Sequence, residues 1–250
     1  MSSAEKDNFD PWTIFTGKSV DIEYVQPFEA LAINGKFVDD IDVWRLASAM
    51  DGCHVRVSLS EQMVVMPDGS IEEISCVLLE CEGAVSEGEE PYLQRPIERR
   101  IFQQDDGTHV LDVIGNDSFI LEEAWQGRGI GRCALALQVE AAYRLGFSHL
   151  IADAVGASGG EYSGYAVWPK LGYDGQVPED VLKRFEPGVL ADLGLTQMPL
   201  KVSDFMTTPE RVAAWEKFGC GFPMRFMLSS GSKALEAMLE IAKSKPNESA

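Results

Sequence analysis

Six residues constrain this chain more than any others: Gln126-Gly127-Arg128-Gly129-Ile130-Gly131, set between the apolar run Phe119-Ile120-Leu121 and a long patterned segment. From Ile130 the residues Ala134, Leu137, Ala141 and Leu145 follow at steps of three and four, which predicts one apolar stripe along about four helical turns. Gly146 is placed to stop that helix at a C′ position, with Phe147 packing back on the last turn. A strand, a glycine-punctuated turn and a helix start gather unpaired N–H groups around one point. The positive end of the helix dipole adds to them, and together they bind a pyrophosphate. Glycine lets the backbone approach phosphate with no Cβ in the way. Arg128 and Arg132 are candidates for charge-assisted contacts to phosphate oxygens.

Spacing alone leaves two other readings open. The turn is then a mere connector, or a dinucleotide-binding fingerprint with Asp153 as the ribose-binding acid. Against the second, the third fingerprint glycine would fall at Arg132, and the preceding chain does not read as parallel βαβ. A Walker A loop is excluded because no Gly-Lys-Ser/Thr follows.

What precedes the turn is punctuated differently. Residues 37–50 carry Val38, Ile41, Leu46 and Ala49 at helical spacing, and Cys53–Leu59 reads as a strand. Pro67-Asp68-Gly69 separates Met63–Met66 from Ile74–Leu79, Asp106-Gly107 separates Ile97–Gln104 from His109–Ile114, and Gly115-Asn116-Asp117 precedes Ser118–Glu122. Turn residues between short β-prone runs predict an antiparallel meander, with residues 82–96 a solvated loop. After the central helix come a buried strand (His149–Val155), a Gly/Ser-rich loop and a short helix ending near Leu171-Gly172. A helix then opens at Thr208-Pro209, Met224–Leu228 forms a strand, and a closing helix is capped by Ser230 or Ser232.

Net charge narrows the partners. With 40 acidic against 21 basic residues the formal charge is −19, which disfavours nucleic acid and anionic membranes. No apolar run reaches the ~18 residues of a membrane span, and the polar start has no signal-peptide core. The five cysteines (Cys53, Cys76, Cys81, Cys133, Cys220) are odd in number and form no CxxC pair. They give neither a zinc site nor a disulfide framework, so a reducing cytoplasm without a bound metal is the expected setting.

The order meander, turn, helix, strand and helix, with Gln-x-x-Gly-x-Gly at its centre and Pro169-Lys170-Leu171-Gly172-Tyr173 at its end, resembles the GNAT N-acetyltransferase superfamily. The resemblance covers about residues 37–175. It implies a mixed α/β sheet splayed between a fourth strand at 118–123 and a fifth at 149–155. Acetyl-CoA would lie in the splay, its pantetheine arm along Phe119, Ile120 and Leu121, its pyrophosphate on Gln126, Gly127, Arg128, Gly129, Ile130, Gly131 and Arg132. Acetyl transfer to a primary amine is then direct, and Cys133 is left to packing.

Direct transfer still requires a base for the amine and a proton for the departing thiolate. Glu122 and Glu123 end the expected fourth strand with side chains on opposite faces, and Glu122 is the candidate base; His149 is an alternative, read more readily as a partly buried polar residue. The family often places a tyrosine four residues before the glycine of the closing motif, but this chain has Trp168 there, and an indole is no acid. Tyr165, with Tyr162 behind it, is the substitute candidate. Either reads equally well as a packed aromatic. Glu161 stands where the family often has asparagine.

The organisation expected is an N-terminal segment (1–36), the GNAT-like core (37–175), a C-terminal extension packed on the core (176–243) and a tail (244–250). The amine acceptor is a small molecule or a peptide or protein, and a homodimer is among the assemblies allowed. The contrasting expectation is an acyl-CoA-binding or interaction module without catalysis.

Overall fold

The computed structural model describes residues 9–25, 31–65, 71–83, 91–104, 106–113 and 119–245. The expected turns at Pro67-Asp68-Gly69 and Gly115-Asn116-Asp117, residue Ser118, residues 84–90 of the 82–96 loop and residues 246–250 of the 244–250 tail lie outside them. In chain order the elements are a 3-10 turn (Pro11–Ile14), β1 (Asp21–Tyr24), β2 (Ala32–Ile33), β3 (Lys36–Phe37), α1 (Asp40–Leu46), β4 (Cys53–Val65), β5 (Ile71–Gly83), β6 (Ile97–Gln103) and β7 (His109–Val113). A second 3-10 turn (Glu123–Trp125), α2 (Ile130–Leu145), β8 (His149–Asp153), α3 (Gly164–Lys170), α4 (Glu179–Leu182) and α5 (Val189–Asp192) follow. The chain closes with α6 (Val202–Phe205), α7 (Pro209–Phe218), β9 (Pro223–Met227) and α8 (Lys233–Lys243). The class is mixed α/β. Two compact units divide it: residues 1–112, 118–150 and 228–250 form unit one, and 113–117 with 151–227 form unit two.

Unit one is built on the β4–β5 hairpin, paired antiparallel from Cys53↔Gly83 to Val65↔Ile71. Cys53, Val55 and Val57 are buried, while His54, Arg56 and Ser58 between them are not, the alternation of a strand with one covered face. The meander continues antiparallel through β6 and β7, and β1 adds a parallel edge on β4. Between β6 and β7, Gly107 takes a positive φ of 81° and Asp106 accepts from the Thr108 N–H at 2.9 Å, which is the expected Asp-Gly turn.

Helix α2 carries the predicted stripe, with Ile130, Ala134, Leu137, Ala141 and Leu145 all buried. Cys133, Leu135, Ala136, Val139 and Ala142 are buried as well, because α1 and α8 also pack on this helix. Each buried leucine here contributes about 1.5–3 kcal/mol. Gly146, at φ 83°, ends the helix as its pattern predicts, and the Phe147 N–H reaches back to the Ala142 carbonyl at 3.0 Å. Asn34 donates to the carbonyls of Leu145 (3.1 Å) and Gly146 (2.8 Å), satisfying acceptors the helix end leaves over.

Helix α1 is shorter than the expected 37–50. Asp39 and Asp42 form a capping box at its start, and the chain leaves the helix through Ser48 at φ 60°. No glycine marks that stop. The buried Asp42 carboxylate is ion-paired with Arg144 of α2, and Gln138 donates to the Leu46 carbonyl at 2.6 Å, so α1 is braced on α2 by polar contacts.

Unit two holds the rest of β8, helices α3 to α7 and β9. At the β9 approach, the Ala154 N–H donates to the Phe222 carbonyl at 3.2 Å. A Cβ on Gly221 would fall 1.8 Å from the Ala154 carbonyl oxygen, so only glycine fits there. Its core is aromatic: Trp215 is fully buried, 5.2 Å from the Phe205 ring, and Phe185 lies 5.3 Å from Phe205 and 5.4 Å from Phe218. Helix α7 starts as the sequence predicts, with the Thr208 side chain accepting from the Arg211 N–H.

Candidate functional site

The expected fourth strand at 118–123 is corrected over its described residues, Phe119–Glu123. Among its described residues there is one antiparallel bridge, Leu93↔Leu121, flanked by the Gln94 N–H to Ile120 carbonyl (2.9 Å) and the Glu122 N–H to Tyr92 carbonyl (3.0 Å). Pro96 falls at the next hydrogen-bonding position after Gln94 on the partner segment and has no N–H to extend a ladder. On the other side, Glu123–Trp125 tightens into a 3-10 turn. Leu93 and Leu121 are a non-hydrogen-bonded pair, so Leu121 aims its own N–H and carbonyl away from Leu93. The carbonyl accepts from the Gln126 side-chain amide at 2.9 Å. The N–H has no acceptor among the described residues.

The turn itself has the geometry its glycines predict. Gly127 and Gly129 take φ of 73° and 80°, the left-handed region open to glycine at little cost. Gly129 is the N-cap of α2 and offers no side chain to the first-turn amides, and no acid stands in that turn. The N–H groups of Gly127, Gly129, Ile130 and Gly131 donate to no group among the described residues. These four donors lie at the positive end of a 16-residue helix, the kind of position that suits an anion. Gly131 is helical, and a Cβ there would meet the Phe119 ring at 3.5 Å. Arg132 is exposed on the first turn.

Arg128 is placed differently from the sequence expectation of a phosphate contact. Its side chain is buried, with the guanidinium 4.9 Å from the Trp125 ring centre and 5.2 Å from that of Phe9. Trp125 in turn meets Tyr92 edge-on at 4.7 Å and Phe9 at 5.6 Å. Pro11 stands 3.7 Å from where a Gly129 Cβ would be. Nothing in the spacing of the turn announces Phe9, Pro11 or Tyr92.

Glu122, the bridge and the turn run consecutively through unit one. Glu122 is half-buried, and Glu123, which opens the 3-10 turn rather than continuing a strand, is exposed. Cys133 is buried, and its thiol is pushed up to about 11, first by burial and then by the Asp10 carboxylate. At neutral pH it is a protonated, inert thiol. His149 is buried and its Nδ1 lies 2.8 Å from the Ser148 hydroxyl, the setting of a buried polar residue.

Tyr165 belongs to unit two. It is buried, and its hydroxyl donates to the Glu216 carbonyl at 2.7 Å. That is the packed-aromatic alternative. Tyr165→Phe is therefore expected to cost about 1 kcal/mol of stability by urea titration and to leave turnover within about twofold of wild type, where loss of a true acid costs ~100-fold or more. Trp168 packs edge-on against Tyr173 at 4.8 Å.

Elsewhere a hollow of about 280 Å³ on the β4–β5 hairpin is lined by Leu59, Ser60, Glu61 and Ser75, none of them in the turn. Among the described residues no helix is long and apolar enough to cross a membrane, and no three His, Cys, Asp or Glu stand together as metal ligands. Compared with models of known protein families and with curated proteins, the sequence matches none.

Proposed function

We propose that this chain transfers an acetyl group from acetyl-CoA to a primary amine, on an architecture of the GNAT kind. The observation that carries the reading is the set of amides at Gly127, Gly129, Ile130 and Gly131 that donate to no group among the described residues, ahead of a helix whose N-cap has no side chain. These donors fit a pyrophosphate, and the unclaimed Leu121 N–H fits an amide of a pantetheine arm running past the bridge. Bound acetyl-CoA supplies an activated thioester carbonyl. The chain's own residues hold and orient it: the turn amides donate to phosphate oxygens, and exposed Arg132 adds a charge-assisted contact. Glu122 accepts the amine proton, directly or through one water, as the amine nitrogen bonds the acetyl carbon; the C–S bond then breaks and the departing thiolate takes its proton from solvent. No enzyme nucleophile is required, in keeping with the protonated Cys133 thiol.

Calorimetric titration with acetyl-CoA, followed by thiol release across an amine panel, tests the reading. Glu122→Gln is expected to lower turnover ~100-fold or more with acetyl-CoA affinity within about twofold of wild type. Turnover unchanged across the pH range would remove Glu122 as the base.

One observation favours a second reading, an acyl-CoA-binding or interaction module without catalysis. Trp168 stands at the usual acid position, and the Tyr165 hydroxyl is committed to a main-chain carbonyl. CoA bound with no thiol released from any amine would decide for it.

A further inference from the structure

The cluster around Arg128 belongs to no step of the proposed chemistry, yet it surrounds the turn. Phe9 and Trp125 lie within 5.2 and 4.9 Å of its guanidinium, and Tyr92 backs Trp125 at 4.7 Å. Arg128 stands between the two left-handed glycines, so fixing its side chain fixes the peptides on either side. The partners come from separate stretches of chain. Tyr92 accepts the Glu122 N–H through its carbonyl, and Pro11 lies over Gly129. Asp10 accepts the Trp12 N–H and so opens the 3-10 turn that carries Pro11. Glycine is the residue with most backbone freedom to lose on ordering, and an anion site gains affinity when its donors are already aligned.

We propose that Phe9 and Trp125 clasp Arg128 to hold the turn in its anion-binding shape. Phe9 is then a positioning residue for the cofactor site, acting through Arg128. The proposal rests on the reading of the turn as a CoA-binding element. It assigns Arg128 to alignment rather than to direct pairing with phosphate, and it makes the segment around Pro11 one wall of the site. A cation held against two rings is a directional contact, distinct from apolar packing, because an aliphatic side chain of similar bulk lacks the ring's negative face.

Three variants of the full chain, Phe9→Ala, Phe9→Leu and Phe9→Tyr, separate the two effects. Backbone amide order parameters at residues 127–131 of the unliganded protein are expected to fall toward the flexible range in Phe9→Ala and Phe9→Leu and to stay at the wild-type value in Phe9→Tyr. CoA affinity is expected to follow, tenfold weaker in the first two and within about twofold of wild type in the third; tenfold is about 1.4 kcal/mol, within the span of a partly buried cation–π contact. Equal order parameters and equal affinity in Phe9→Ala and wild type would overturn the clasp and leave the CoA reading standing. Phe9→Leu matching Phe9→Tyr would reduce the contact to packing and overturn it likewise. A wild type that binds no CoA overturns the CoA reading and, with it, the positioning role.

Discussion

Gly129→Trp is expected to abolish measurable acetyl-CoA binding, a loss of more than 100-fold or about 2.7 kcal/mol, while the protein stays folded. Two effects add. At φ 80° a residue with a Cβ is strained by about 1–2 kcal/mol, and relieving the strain turns the amides of Gly129 and Ile130 away from a common point. An indole also stands in the space ahead of the α2 N-terminus, where phosphate would sit. Gly129→Ala isolates the first effect. Its Cβ would meet only Pro11, at an ordinary contact distance of 3.7 Å, so it is expected to lose about tenfold in affinity. The fold should tolerate both changes, with a melting midpoint lowered by about 2–8 °C, since 1 kcal/mol moves a chain of this size by about 2–4 °C. Calorimetric titration beside a thermal melt reads both quantities. Undiminished affinity in Gly129→Trp would remove the turn from the cofactor site.

The parts of this structure that the sequence announces are those fixed by neighbours along the chain. Helix α2 follows from its three-and-four spacing and from Gly146, α7 from Thr208-Pro209, and α8 from Ser232, whose side chain caps it. The turn's shape was legible for the same reason, since glycine at 127 and 129 permits the conformation found. Parts decided by distant contacts were not. Residues 53–59 and 63–66 read as separate runs because Ser58, Ser60, Glu61 and Gln62 interrupt the apolar pattern, yet one strand spans 53–65 because β5 pairs with its whole length. Phe119–Leu121 looks strand-like by composition, and among the described residues it makes one bridge, with Pro96 on the partner segment lacking the N–H for the next ladder bond. Arg128 read as a phosphate contact from charge alone, and its actual surroundings depend on Phe9 and Tyr92, which no local period connects to it. The ambiguity at Tyr165 had the same source: a main-chain acceptor from α7 leaves no trace in the spacing of α3.

Trp215→Ala is expected to be the most damaging substitution to stability, at about 3–5 kcal/mol, because the side chain is fully buried and does two things. It fills the centre of the aromatic core of unit two, against Phe205 at 5.2 Å and Phe222 at 6.4 Å. Its indole N–H also donates to the Tyr165 carbonyl at 2.8 Å, while the Tyr165 hydroxyl donates to the carbonyl of Glu216, the next residue of α7. Helices α3 and α7 are thus latched by two reciprocal bonds. Trp215→Phe keeps most of the apolar volume and leaves the buried Tyr165 carbonyl without its donor, an expected loss of about 1–3 kcal/mol. Residues joined in this way do not act independently. The double variant with Tyr165→Phe should therefore depart from additivity by about 0.5 kcal/mol or more in a urea-unfolding cycle. Strict additivity would dissolve the latch. It would also free Tyr165 from the structural role that makes it a poor candidate for the acid, returning that residue to the catalytic question.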